Sequence, residues 1–367
     1  MSLKTFALLC CITTSAHAAM PKGCDDVPAA APATQQRQPV FPPIQLEIRT
    51  PQPPTAFPIE GRNVLLYELH LHDYGDQTAP VSAVDIISDQ GKLLTSIGAV
   101  QLKNRMRQYR NGGTAVVFIC LAFERGVAVP AALRHRVLLG DGFADGPLIG
   151  THASKLKTLG APLSGAGWSA DNGPGLDSHH RTGVFVVGGR AQNSRRYAID
   201  WKKYQDGQPY KGDPRDASAH LAYGAEVLAV ADGTVVAARN DMPDNVPRTA
   251  AGFTPAVPMT MDNLAGNFII IDLGDGQYAQ YAHLRPGSVK VKAGDEVRRG
   301  QQLAQVGISG DARVPHLHFQ VADSADFLAG EGLPYVIDAF QLNGQRRAGE
   351  YPPDGAVVNF RPRTAPN

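Results

Sequence analysis

Residues 315–321 read Pro315-His316-Leu317-His318-Phe319-Gln320-Val321. Side chains two apart in a strand point the same way, so Leu317, Phe319 and Val321 would face a core while His316, His318 and Gln320 face the other side. Two imidazoles then project together from one rigid element. Taken alone, such a pair is more often a polar sheet face than a metal site. Its neighbours change that reading. Phe268-Ile269-Ile270-Ile271-Asp272-Leu273 leads into the hairpin signal Asp275-Gly276 and a returning strand that ends at His283, on the face that simple alternation gives to Tyr281. Upstream, Tyr197-Ala198-Ile199-Asp200-Trp201 sets Asp200 opposite Tyr197, Ile199 and Trp201. A carboxylate in such an apolar run is costly to bury without a cation or donor beside it.

The rest of the chain fits a strand-built protein. With 367 residues and 43% hydrophobic content it can bury a core and is long enough for two domains. Glycine (38) and proline (28) are frequent and helical periodicity is weak, which predicts an all-β fold of short strands and turns. Lys and Arg number 35 against 34 Asp and Glu, so there is no electrostatic footprint for nucleic acid or an anionic membrane. Residues 1–18 have the plan of a signal peptide: Lys4, an apolar run from Phe6 to Thr13, and Ala16-His17-Ala18 before the expected cut. No later stretch reaches the roughly 18 apolar residues needed to cross a bilayer. Cys10 and Cys11 would leave with the signal peptide. Cys24 and Cys120 remain, and in an oxidising compartment two cysteines suggest one disulfide, although Cys120 could equally be a small buried hydrophobe.

Composition divides the mature chain into segments. Residues 19–43, rich in Ala, Pro and Gln, read as a linker. Residues 44–140 alternate in short runs between turn residues, as expected of an immunoglobulin-like sandwich. Within them, Tyr67-Glu68-Leu69-His70-Leu71-His72 places His70 and His72 on what reads as a solvated strand face. A looser connecting segment, 141–178, holds Trp168 and the turn Asn172-Gly173-Pro174-Gly175; residues 179–325 carry the clearer strand signals; 326–367 read as an extension without chemistry of its own.

In the clearer region several motifs occur in order. They are the strand-turn-strand from Tyr223 to Val236, Tyr281-Ala282-His283-Leu284, the Gly-punctuated hairpin around Ala293-Gly294-Asp295-Glu296-Val297, and Pro315 to Phe319. Together these residues resemble the lysostaphin-type (LytM-like) zinc endopeptidases over about 140 residues. The resemblance implies an antiparallel β-sheet domain of the duplicated hybrid motif, with one zinc per chain bound by Asp200 and His318. It also implies His283 and His316 as catalytic groups, peptidoglycan peptide as substrate, and a secreted, periplasmic or extracellular location. Tyr281 is expected on the substrate side.

One position departs from the pattern. The resembled family places a His four residues before its Asp, where this chain has Arg196. A guanidinium offers no lone pair and cannot ligate a metal. Either the site has lost zinc, leaving a cell-wall-binding or regulatory protein, or another His supplies the nitrogen. His180 is the preferred substitute, ahead of His179 and His220, on the expectation that residues 182–187 form a strand beside Tyr197 to Trp201. Arg196 is then expected to point into the cleft and bind a substrate carboxylate. Insertions at 202–220 and 240–262 are expected to frame that cleft. The stretch from Val291 to Leu303 also resembles biotinyl and lipoyl carrier domains, a reading that the secretion signal opposes.

Overall fold

A computed structural model describes residues 20–30, 38–75, 79–108 and 113–362. The signal-peptide segment and the centre of the expected linker lie outside the described residues. Among these, helix is confined to Ala99–Arg105 and two short 3-10 turns, and no helix is long and apolar enough to cross a membrane. The fold is all-β.

The N-terminal part is a two-sheet sandwich. Its six-stranded sheet runs Asp25–Val27, Thr114–Phe123, Arg62–Asp73, Leu46–Arg49, with Phe57–Ile59 and Met106–Gln108 alongside; its five-stranded sheet runs Gly142–Asp145, Ala132–Leu139, Val81–Ser88, Leu93–Gly98, with Ile149–Gly150 alongside. Leu65, Tyr67, Leu69 and Leu71 fill the space between the sheets with Val84, Ile86 and Val137. The expected linker starts instead as structure. Asp25–Val27 pairs parallel with Leu121 to Phe123, fastened by the Cys24–Cys120 disulfide and by an ion pair between Asp25 and Arg105.

The C-terminal half is built on a ten-stranded sheet. Its order is Glu296–Val297, Gly233–Arg239, Asn267–Asp272, Tyr278–Leu284, Leu317–Ala322, Ile199–Lys203, Trp168–Asp171, Val357–Asn359, Phe340–Leu342, Gln345–Arg347. Four of these strands come from segments read as connection and extension. Trp168, Val358 and Phe360 are buried in the same core as Ile199 and Trp201, so these short strands cover what would otherwise be an open apolar edge. At three or four residues each they carry too little alternation to be recognised alone. The strand expected beside Tyr197 to Trp201 is not there: Phe185–Val187 pairs with Arg190–Gln192 as a separate hairpin. The neighbours of Ile199–Lys203 are Trp168–Asp171 and Leu317–Ala322.

The two halves share a core. On Arg62–Asp73 the side chains of Val64, Leu66 and Glu68 point away from the sandwich interior and into the C-terminal half. There Phe57, Val64, Leu66 and Cys120 cluster with Tyr197 and Tyr351. The Phe57 ring stands 5.3 Å from that of Tyr197 and 5.5 Å from that of Tyr351, and Tyr197 Oη donates to the Leu66 carbonyl at 2.6 Å. Each large side chain fully buried here contributes about 1.5–3 kcal/mol. The face carrying His70 and His72 is therefore solvated only at its far end, because Val64 and Leu66 make its near end apolar.

Candidate active site

Strand pairing assembles the site's centre. Ile199–Lys203 lies antiparallel to Leu317–Ala322 with Asp200 directly opposite His318. Both turn away from the core that holds Ile199, Trp201, Leu317 and Phe319. His316, two residues before His318, comes to the same side. Asp200 Oδ1 lies 3.1 Å from His318 Nδ1, 3.3 Å from His316 Nε2 and 3.6 Å from His180 Nε2. Its other oxygen accepts a hydrogen bond from Asn172 Nδ2 at 2.7 Å. Asn172 follows the Trp168–Asp171 strand in a left-handed conformation, φ +55°, which an Asn tolerates better than most residues. Its backbone oxygen meets His180 Nδ1 at 2.8 Å. The Asn-Gly turn thus serves two site residues at once, a role the sequence reading missed. His180 arrives on the loop after this turn rather than from a neighbouring strand.

His283 reaches the site against simple alternation. Tyr281 pairs with Phe319 and faces the core, and strict period two would send His283 there as well. Between Tyr281 and Leu284 the pairing to the adjacent strand shifts, leaving Ala282 and His283 opposite Phe268, and His283 takes φ +63°. This bulge turns the ring to the imidazole side, with its centroid 4.8 Å from that of His316 and 5.9 Å from that of His318. A left-handed histidine is uncommon, and such residues cluster at functional sites. Tyr281 stays in the core, its ring 5.1 Å from Phe319 and its Oη accepting from the Val230 amide at 2.9 Å. It is fully buried and does not line the cleft, which corrects the expectation that it contacts substrate.

Hydrogen bonds fix where each imidazole keeps its lone pair. His180 Nδ1 faces the Asn172 carbonyl, His316 Nδ1 the Val314 carbonyl at 2.8 Å, and His283 Nδ1 the Ser309 carbonyl at 2.9 Å. A carbonyl only accepts, so these Nδ1 atoms carry a hydrogen, and in the neutral ring Nε2 keeps the lone pair. His318 is set the other way by a relay. Gln280 Nε2 donates to the Ser324 and Asp326 carbonyls, so Gln280 Oε1 accepts from Gln320 Nε2 at 2.7 Å. Gln320 Oε1 is left to accept from His318 Nε2 at 2.8 Å, so that the neutral His318 ring has its lone pair on Nδ1, facing Asp200. Burial holds the His180 and His283 imidazoles well below their usual pKa, hence neutral. Burial alone would raise the Asp200 carboxyl, whereas charged imidazoles beside it, His316 first and then His180, would hold it well below the ordinary range.

These groups line a cavity of about 300 Å³ together with His179, Arg195, Lys202 and Arg313. His179 is more exposed than His180, and the ligand atoms of His179, His180 and Asp200 all lie within 4.8 Å of one another. His220 is elsewhere, bonded through Nε2 to the Pro214 carbonyl at 3.0 Å. Of the two insertions, the first contributes only Lys202 to this cavity. Met261 from the second lines an adjoining apolar one, which shares Phe327 with it.

Arg196 does not enter the cleft. Its Nε donates to Glu68 Oε2 at 2.7 Å, its Nη2 to Glu331 Oε2 at 2.5 Å and its Nη1 to the Gly332 carbonyl at 3.0 Å. Arg181 forms a second ion pair with Glu68 and donates to the Tyr67 and Ile119 carbonyls. Burial would raise the Glu68 carboxyl, yet Arg196 and Arg181 together pull it below its ordinary value. The expected substrate contact is corrected: two buried carboxylates already neutralise this guanidinium.

Residues 217–328 match Peptidase family M23, which places a LytM-type domain there. The cell division protein DipM of Caulobacter vibrioides is 32% identical over 98 residues, 27% of this chain and 12% of that protein. The peptidoglycan DD-endopeptidase ShyB of Vibrio cholerae is 33% identical over 79 residues, 22% of this chain and 18% of that protein. The matched stretch thus spans under a fifth of the length of either relative. Among solved structures, the catalytic domain of the prophage-encoded M23 protein EnpA from Enterococcus faecalis is 18% identical, with 49% of this chain and 93% of that one covered at a TM-score of 0.27.

Proposed function

We propose that this chain is a secreted zinc-dependent endopeptidase that hydrolyses peptide cross-links of bacterial peptidoglycan. One observation carries the reading: nitrogens of His180, His316 and His318 converge on a single carboxylate oxygen, and in the neutral rings each has its hydrogen committed elsewhere and aims a lone pair there. Acceptors facing an acceptor repel, and a divalent cation among them removes the repulsion. The donor set suits zinc, with His180, Asp200 and His318 as the ligands. The matched family and the endopeptidase relatives support the choice of peptidoglycan.

When bound, zinc supplies a Lewis acid for the scissile carbonyl and lowers the pKa of a water toward about 7. The chain's own residues do the rest. His316 Nε2 takes the proton of the attacking water, and the nearby Asp200 carboxylate favours the imidazolium that results. The same nitrogen returns that proton to the leaving amine. His283 Nε2, its ring fixed through Nδ1 to Ser309, accepts a hydrogen bond from the water and orients it. Arg196 lies outside the site, and the position of His180 beside Asp200 favours replacement of the missing nitrogen over a zinc-free regulatory protein. The test is elemental analysis of purified protein, followed by release of free amines from purified peptidoglycan with and without a chelator. About one zinc per chain and chelator-sensitive release are expected; a metal-free, inert protein would sink the proposal.

A further inference from the structure

The cleft contains a positive charge that this mechanism leaves idle. Arg195 is 9% exposed and lines the same cavity as Asp200, His180 and His316. Its neighbour in the same turn, Arg196, points the other way into Glu68. Among the described residues the Arg195 side chain makes no hydrogen bond or ion pair, and its Nε is fully buried without a partner. The contact it does make is with a ring: Cζ lies 4.6 Å from the centroid of Phe185. The other charges at the cleft are engaged. Asp200 is taken up by imidazoles and Asn172, Arg313 pairs with Asp311, and Lys202 lies 3.4 Å from Asp171.

The seat of this guanidinium is built. A Cβ at residue 183 would stand 2.6 Å from Arg195 Nη2 and 2.5 Å from the His179 carbonyl, so Gly183 leaves the room the side chain occupies. Phe185 holds the flat group from one side. A buried guanidinium with its donors unused carries a desolvation cost that a partner offsets, and its planar fork matches a carboxylate.

We propose that Arg195 receives a carboxylate of the bound peptide and so selects cross-links in which the carbon bearing the scissile nitrogen also carries a carboxylate. The proposal rests on the endopeptidase reading and specifies its substrate class. The position follows from size: Arg195 and the catalytic imidazoles share one cavity of about 300 Å³, so the carboxylate it meets lies only a few bonds from the amide being cut. Cross-links joined at the carboxylated centre of a diamino acid meet this condition. Those joined through a glycine bridge or a lysine side-chain amine have no charge at that carbon.

The experiment uses two synthetic cross-linked peptide dimers, identical except that one has this carboxylate free and the other has it amidated. Affinity by calorimetry and cleavage rate are measured for the full mature chain and for Arg195→Gln and Arg195→Lys. The wild type is expected to favour the free acid by roughly 10- to 100-fold in both readouts, the range of a charge-assisted hydrogen-bonded pair. In Arg195→Gln the ratio of free acid to amide falls to about one, and Arg195→Lys restores part of it. Equal handling of the two dimers by the wild type, or a preference kept by Arg195→Gln, overturns the proposal. If Arg195→Gln does not fold, Gly183→Ala, which crowds Nη2, takes its place, and an unchanged preference there overturns it equally. Zinc-loaded protein that cleaves neither dimer would refute the endopeptidase reading, while the affinity ratio would still decide the role of Arg195.

Discussion

Two clusters of buried charge flank the turn and strand that run from Arg195 to Asp200, and they are composed in opposite ways. Around Glu68, two guanidiniums meet two carboxylates, and further donors reach the Tyr67, Ile119 and Gly332 carbonyls, although Arg181 Nε has no partner. Opposite charges match within the protein. Around Asp200, three imidazole nitrogens converge on one carboxylate oxygen, and the only donor to the carboxylate from a non-imidazole side chain among the described residues is Asn172, on its other oxygen. The first arrangement is what a structural joint requires and the second is what a cation site requires. Arg196, at the position where the resemblance calls for a metal-binding His, sits in the first cluster and not the second.

The largest expected effect breaks the open cluster. Asp200→Asn or His318→Ala should abolish zinc retention after dialysis against a weak chelator, read by elemental analysis, whereas His283→Ala should keep most of its metal. Retention of a full zinc in both ligand variants would remove Asp200 and His318 from the coordination shell.

Next comes the closed cluster. Glu68→Ala leaves Arg181 and Arg196 buried beside Glu331 alone and should cost about 3–5 kcal/mol, measured by urea unfolding. The loss should be the same with and without chelator, since nothing in that joint depends on metal. In contrast, the stability lost in Asp200→Asn should appear only when zinc is supplied.

A smaller effect sharpens the contrast at its edge. Gln320→Leu removes the acceptor that holds the hydrogen of His318 on Nε2, and zinc affinity should fall roughly 10- to 100-fold without loss of fold. Unchanged affinity would mean that the relay from Gln280 does not set the tautomer.

The smallest effect separates the clusters by pH in chelated protein. His180 and His283 have depressed pKa values when folded, so the unfolded chain binds more protons below about 6.5 and stability declines as pH falls through that value. Glu68 is depressed as well, but as an acid: its contribution is present above the unfolded value of about 4.3 and is lost as pH falls through the lower folded value. Unfolding midpoints should therefore drop in two stages. Glu68→Gln should diminish only the more acidic one, to which Asp200 also contributes, and loss of the upper stage in that variant would contradict the assignment.

How much of this could be read beforehand follows the physics of each element. Asp200, His316 and His318 were legible because period two on a strand needs no tertiary information. The side to which His283 turns was not, since it follows from a bulge opposite Asn267, whose side chain bonds the backbone of Leu284 across the hairpin and of Met242 outside it. Arg195 and Arg196 sit in a turn, where alternation gives no direction; the reading turned Arg196 to the cleft, where the structure has Arg195. Glu68 was visible as an acid amid apolar residues, but its partners lie more than a hundred residues away. The four short sheet strands gave no signal that their few residues could carry.

The junction through Glu68 and Tyr197 also bears on how this gene could be cut and recombined. Two matched charges in the C-terminal half have their counter-charge in the N-terminal half, and Tyr197 finds its acceptor there as well. A crossover between the halves would bring in a foreign sandwich without the carboxylate that Arg181 and Arg196 share. The halves are therefore not interchangeable modules: a chimera that keeps this C-terminal half has to inherit Glu68 with the strand that presents it.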